Sequence, residues 1–192
     1  MSEQARVRII SVNVGRAVPV EWRGRTGSTG IRKTPVDRPV TFGPDGLDGD
    51  EQGDPTVHGT IDKAVYMYDA SHYVHWRREI DGVEVPYGFF GENLTVAGLL
   101  EEEVRVGDRF RVGEAVLTAT GPRFPCWKLE SRVGRTGFIR TFLRSGRSGV
   151  YFSVSGTGRF GADDEMVRIE TDPGRPTIAE VVRKKWEDDG KG

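Results

Sequence analysis

The chain has 192 residues, with 28 Lys+Arg against 29 Asp+Glu and a formal net charge of −1. A balance this close argues against a dedicated nucleic-acid or membrane-surface binder, because both need a net basic face. With 1 Cys, the chain alone holds no internal disulfide framework, Cys-rich zinc module or iron–sulfur cluster.

The composition points to strands and turns. Hydrophobic residues are 36%, with 26 Gly and 10 Pro, which fits one modest core and few long helices. The N-terminal apolar run Val7–Val14 is interrupted by Arg8, Ser11 and Asn13. It is too short and polar for a secretory or spanning segment, so a cytoplasmic protein is expected.

In chain order, Val7–Val14 reads as a strand. Gly15–Gly30 reads as a Gly/Arg-rich loop, Arg38–Phe42 as a short strand and Gly46–Gly59 as an acidic irregular stretch. Lys63–Tyr68 reads as a buried strand. Asp69 or Ser71 then caps a helix running to about Ile80. Val104–Val112 and Ala115–Thr120 form a hairpin across Gly113-Glu114. Thr136–Arg144 has helical spacing, and Val150–Val154 and Met166–Ile169 read as strands. Thr177 caps a last helix from Ile178 to about Glu187. Many short strands with two or three short helices predict a closed or partly closed β-barrel with helical excursions. The barrel domain is expected over residues 1–172, with a short helical tail over 173–192.

Charge is unevenly distributed along this chain. Asp45, Asp48, Asp50, Glu51 and Asp54 fall together with no base among them. From Arg123 to Arg147 there are seven bases and one acid, Glu130. Among the bases of the whole chain, 22 are Arg and 6 are Lys. Arginine binds planar anions bidentately, although GC-rich coding gives the same skew.

Gly156-Thr157-Gly158-Arg159-Phe160-Gly161 matches GxGxxG. The next periodic segment, Met166–Ile169, is a strand rather than a helix, so a hairpin loop explains the glycines better than a dinucleotide site. His72 and His75 share a helix face and, with His58, offer three imidazoles for a metal. A surface or capping role is the simpler reading of His72 and His75. Cys126 lies behind Pro125 in Arg123-Phe124-Pro125-Cys126-Trp127-Lys128. Arg123 and Lys128 there favour a thiolate, which is both a nucleophile and a soft metal ligand. A buried structural cysteine fits the same residues, and a hydrolase using Cys126 with His58 as base is a further option.

Several segments in order carry a resemblance. They are Thr29-Gly30-Ile31-Arg32-Lys33-Thr34-Pro35-Val36, Gly46-Leu47-Asp48-Gly49-Asp50 and His58-Gly59-Thr60-Ile61-Asp62-Lys63. Phe90-Gly91-Glu92-Asn93-Leu94, Val106-Gly107-Asp108 and Arg123-Phe124-Pro125-Cys126 come after these. Over residues 6–170 the chain resembles the MOSC domain family, nearest its bacterial hydroxylaminopurine-resistance members.

The resemblance implies a mainly β fold with short helices, built on a pyruvate-kinase-like barrel that binds the molybdenum cofactor. It implies reduction of N-hydroxylated compounds with electrons from a separate reductase, by a monomer or homodimer. A non-catalytic cofactor or sulfur carrier using Cys126 is the alternative. Pyridoxal phosphate binding is associated with the family only at large. The metal ligand and catalytic thiol would be Cys126, with His58 or Asp62 assisting proton delivery. Cofactor contacts would come from Thr29, Arg32, Lys33, Gly49, Asp50, His58, Gly59, Lys63, Asn93 and Arg123, besides Cys126. The chain departs from the family pattern in having Thr60 where a second Gly is usual, and in a shortened C-terminal extension.

Overall fold

The structure, a computed structural model, describes residues 6–53 and 61–189. Its elements begin with β1 (Arg6–Val14), β2 (Val18–Trp22), β3 (Arg25–Thr29), β4 (Thr34–Val36), β5 (Val40–Gly43) and β6 (Gly46–Leu47). A 3-10 turn at Ile61–Lys63 leads into β7 (Val65–Asp69), α1 (His72–Glu79) and β8 (Leu94–Ala97). Then come β9 (Arg109–Val112), β10 (Ala115–Pro122), α2 (Trp127–Val133), α3 (Phe138–Arg144), β11 (Val150–Ser155), β12 (Gly158–Phe160), β13 (Glu165–Glu170) and α4 (Ile178–Asp189).

Seven strands close into a barrel in the order β13, β9, β10, β11, β7, β8 and β1, with β1 returning to β13. Closure removes the sheet edges that an open sheet would leave unpaired. β1 makes this possible by its length. Its start pairs with β13, its middle with β8 and its end with β4. The β7–β8 pair is parallel, with α1 in the crossover between them.

β7 shows how a five-residue strand serves two cores. Side chains alternate across a strand. Val65 and Met67 face the barrel interior among Val7, Leu117 and Phe152. Tyr66 and Tyr68 face outward into a second apolar cluster with Trp76, Phe90, Leu129, Phe138 and Phe142. That second cluster fixes α1, α2 and α3 against the outside of the barrel. α4 lies on the barrel too: Thr177 bridges Arg105, the Ile178 N–H donates to the Val104 carbonyl, and Ile178 is fully buried. Thr177 and Glu180 form a reciprocal capping box at its start.

Several sequence expectations are revised. Gly15–Gly30 is mostly not loop, because β2 and β3 form a hairpin whose turn places Arg23 and Gly24 at positive φ. Arg at that position is not a usual turn signal, so the residues do not announce the hairpin. Of Val104–Val112, only Arg109–Val112 is strand; the hairpin across Gly113-Glu114 is present. Gly156-Thr157-Gly158 is not a hairpin loop either. It carries the chain from the barrel into β12, which pairs with β5 in a separate small sheet. No helix opens there, in keeping with the absence of a dinucleotide fold.

His72 is neither a surface residue nor a cap. It is buried, and its Nε2 lies 2.8 Å from Glu101 Oε2. Asp69 does not cap α1 from the N-cap position. Its Oδ1 accepts the Ser71 N–H, and its Oδ2 accepts those of Gly98 and Leu99. No described helix is long and apolar enough to cross a membrane.

Candidate functional site

A pocket opens where the end of β3, the start of β8 and the segment after β10 converge. Its wall includes Thr29, Ile31, Lys33, Asp50, Lys63, Tyr66, Phe90, Asn93, Arg123, Phe124, Lys128 and Tyr151. One side exists only because two backbones touch. A Cβ on Gly30 would lie 2.0 Å from the Glu51 carbonyl oxygen, a distance no side chain permits. Glycine lets the acidic segment from Asp50 to Gly53 lie directly against the end of β3.

Asp50 ties this wall together. Its Oδ1 accepts the Gly15 N–H at 2.9 Å and pairs with Lys33 Nζ. Its Oδ2 accepts Asn93 Nδ2 at 2.8 Å. The Asn93 Oδ1 accepts the Tyr66 N–H at 3.0 Å, so both halves of that amide already serve the wall. Lys33 is buried, and burial pushes its pKa down more strongly than Asp50 raises it.

Arg123 forms the floor. It is 7% exposed and donates from Nη1 to the Phe90 carbonyl at 2.7 Å. Its guanidinium lies 5.3 Å from the Tyr66 ring centre and 5.7 Å from that of Phe142, while the Tyr66 hydroxyl donates to the Ser148 carbonyl at 2.8 Å. Burial opposes its charge. The electronegative atoms of Tyr66, Tyr151 and Cys126 around it outweigh that, and its pKa is raised. Burial raises both tyrosines, so they stay neutral donors and acceptors. Among the described residues no carboxylate stands within ion-pair distance of Arg123.

Cys126 is half-buried, with extended backbone immediately before α2. It is not part of the pocket wall, yet it lies between the wall residues Phe124 and Lys128 along the chain. The expected site residues thus separate into groups. Thr29, Lys33, Asp50, Lys63, Asn93 and Arg123 meet in one wall, with Cys126 beside it. Arg32 and Gly49 are exposed and outside that wall. Asp62 is exposed as well, and its backbone carbonyl accepts Thr120 Oγ1. His58 and Gly59, with Thr60, lie outside the described residues. His72 is committed to Glu101, and among the described residues no three His, Cys, Asp or Glu side chains gather as a metal-ligand set.

Tyr66 and Tyr151 join the site without having been expected there. The signal was available in part, because each sits on the face of its strand opposite to the barrel-facing residues, between Val65 and Met67 or between Val150 and Phe152. Period-2 alternation alone does not say that those outer faces meet an arginine.

A family model described as the MOSC domain matches residues 54–167. The chain belongs to the MOSC domain family. This MOSC protein is 40% identical over 167 residues to YflK of Bacillus subtilis (strain 168), covering 86% of this chain and 75% of that one. It is 32% identical over 178 residues to a protein named "Reductase" in Gibberella moniliformis (strain M3125 / FGSC 7600), covering 91% of this chain and 31% of that one. The crystal structure of YiiM from Geobacillus stearothermophilus superposes with a TM-score of 0.77 at 31% identity. The match covers 95% of this chain and 85% of that one.

Proposed function

We propose that this MOSC protein binds the molybdenum cofactor beside Cys126 and reduces N-hydroxylated compounds, R–NHOH + 2 e⁻ + 2 H⁺ → R–NH₂ + H₂O, with electrons from a separate reductase. The observation that carries the reading is the charge of the pocket. Four cations, Lys33, Lys63, Arg123 and Lys128, line it against Asp50 and Glu51. Asp50 is already bound by Lys33, Gly15 and Asn93, and Glu51 accepts the Ala17 N–H. A buried guanidinium without a carboxylate partner invites an anionic ligand, since an uncompensated buried charge is costly.

The residues fit the cofactor in chemical type. Arg123 and Lys63 suit its phosphate, and a thiolate at Cys126 suits a soft metal. When bound, the cofactor supplies a two-electron redox centre. The chain's own residues do the rest. Arg123, held by the Phe90 carbonyl and stacked on the Tyr66 ring, orients anionic oxygens. Tyr66, Tyr151 and Phe90 offer aromatic faces that exclude water from a planar ligand. Lys33 Nζ holds a proton at the wall. Its depressed pKa eases transfer to a leaving oxygen, and Asp50 keeps the ammonium in place. The likeness to a fungal protein named a reductase supports a redox role.

The test is to purify the protein and Cys126→Ser from a cofactor-competent host. Molybdenum is then measured by mass spectrometry, released pterin by fluorescence, and turnover of a hydroxylaminopurine with dithionite-reduced viologen. We expect metal, pterin and turnover in the parent and loss of metal in Cys126→Ser. Equal metal in both proteins would sink ligation by Cys126. Metal without turnover would leave a carrier module.

A further inference from the structure

The rim of the pocket carries charges that the site itself does not use. Arg32 sits between the wall residues Ile31 and Lys33 but is exposed. Lys128 and Arg132 lie four residues apart on α2, hence on one face. Arg132 stacks 4.5 Å from the ring centre of Phe89, next to the wall residue Phe90. Phe124 lines the mouth and is 42% exposed, unusual for a phenylalanine.

None of these three cations has a carboxylate within ion-pair distance among the described residues. The one acid of this stretch, Glu130, is occupied by the Gly137 N–H at 2.7 Å. Nε of Arg132 is buried without a hydrogen-bond partner among the described residues. Burial and then the charge of Arg32 push the Arg132 pKa down, so the two guanidinium groups repel one another. Like charges set together without partners cost stability in the isolated molecule, and a counter-charge from outside relieves that cost.

We propose that Arg32, Phe124, Lys128 and Arg132 form the docking surface for an acidic electron-donor protein. The proposal rests on the reductive reading of the pocket above, since that reaction consumes two electrons and the rim is where the pocket opens. A cationic ring around one exposed aromatic matches an acidic patch with an apolar centre. A long polyanion fits less well, because the acid Glu51 lines the same pocket mouth.

The experiment titrates the ¹⁵N-labelled, cofactor-loaded protein with flavodoxin, a small acidic flavin carrier. Wild-type turnover with reduced viologen is measured in parallel. We expect amide shifts at Arg32, Phe124, Lys128 and Arg132, and binding that weakens as salt rises through the screening range. Arg32→Glu and Arg132→Gln should each weaken binding about three- to tenfold. Arg32 is exposed, so its variant tests the charge without risk to the fold. Binding unchanged in both variants, or shifts mapping to another face, overturns the docking surface. Inorganic pyrophosphate producing the same shifts at lower concentration than flavodoxin also overturns it, in favour of a small-anion subsite. Flavodoxin binding at the rim without viologen-driven turnover supports the surface and removes the reductase reading instead.

Discussion

Lys33 and Asp50 form an ion pair in the pocket wall, with only 7% and 9% of their side chains exposed. The same carboxylate fastens β1 through Gly15 and β8 through Asn93. A buried pair of this kind is worth little against an apolar replacement, but losing one partner leaves a buried charge alone. Asp50→Asn should therefore destabilise the protein by about 3 kcal/mol in urea unfolding. Lys33→Met should cost less, because Asp50 retains Gly15 and Asn93. Equal costs for the two variants would contradict Asp50 as the wall's fastening point.

Glu92 provides a pH prediction. It is fully buried; its Oε1 accepts Tyr73 Oη, the Gly88 N–H and Thr95 Oγ1, while Oε2 has no partner among the described residues. Burial raises its pKa above 4.5. The native state then binds more protons than the unfolded state in the window above 4.5. Its contribution is fully present below that value and is lost as pH rises through the native pKa. Glu92→Gln should match the parent in stability near pH 4.5 and lose less stability as pH rises to 8. Thermal denaturation across that range reads the difference; parallel curves would refute it.

Gly149 constrains the pocket from behind. Its φ is +67°, and a Cβ there would meet the Met67 carbonyl oxygen and a ring carbon of Tyr66, each at 2.6 Å. Gly149→Ala combines backbone strain with a clash, so a loss of about 2–4 kcal/mol is expected. Tyr66 must move to relieve it, and Arg123 with it. Weakened binding of inorganic pyrophosphate should accompany the lower melting temperature. Stability lost with pyrophosphate binding intact would separate Tyr66 from the anion site.

Much of the fold was legible in the sequence. The alternation in Val150–Val154, the hairpin across Gly113-Glu114 and the Thr177 cap are local patterns, and local sterics and hydrogen bonding decide them. β8 was not legible because Leu94, Thr95 and Val96 are all buried and show no alternation, and α2 was not because Cys126 at its N-cap makes no side-chain cap. The burial of His72 was not legible either, because the carboxylate that pairs with it, Glu101, is 29 residues away.

By itself, the sequence determined a single-cysteine chain of many short strands, with an acidic stretch and a basic, Cys-bearing stretch. It also placed in order the segments that mark the family. Only the tertiary structure decided which charges meet. Closing the barrel brings Lys33, Asp50, Asn93 and Arg123 into one wall from four distant segments, and it leaves Arg32 outside beside Arg132. Spacing along a chain fixes which face a side chain takes on its own strand or helix. Which other face it meets is fixed by strand pairing and core packing, and those join residues that the sequence keeps far apart.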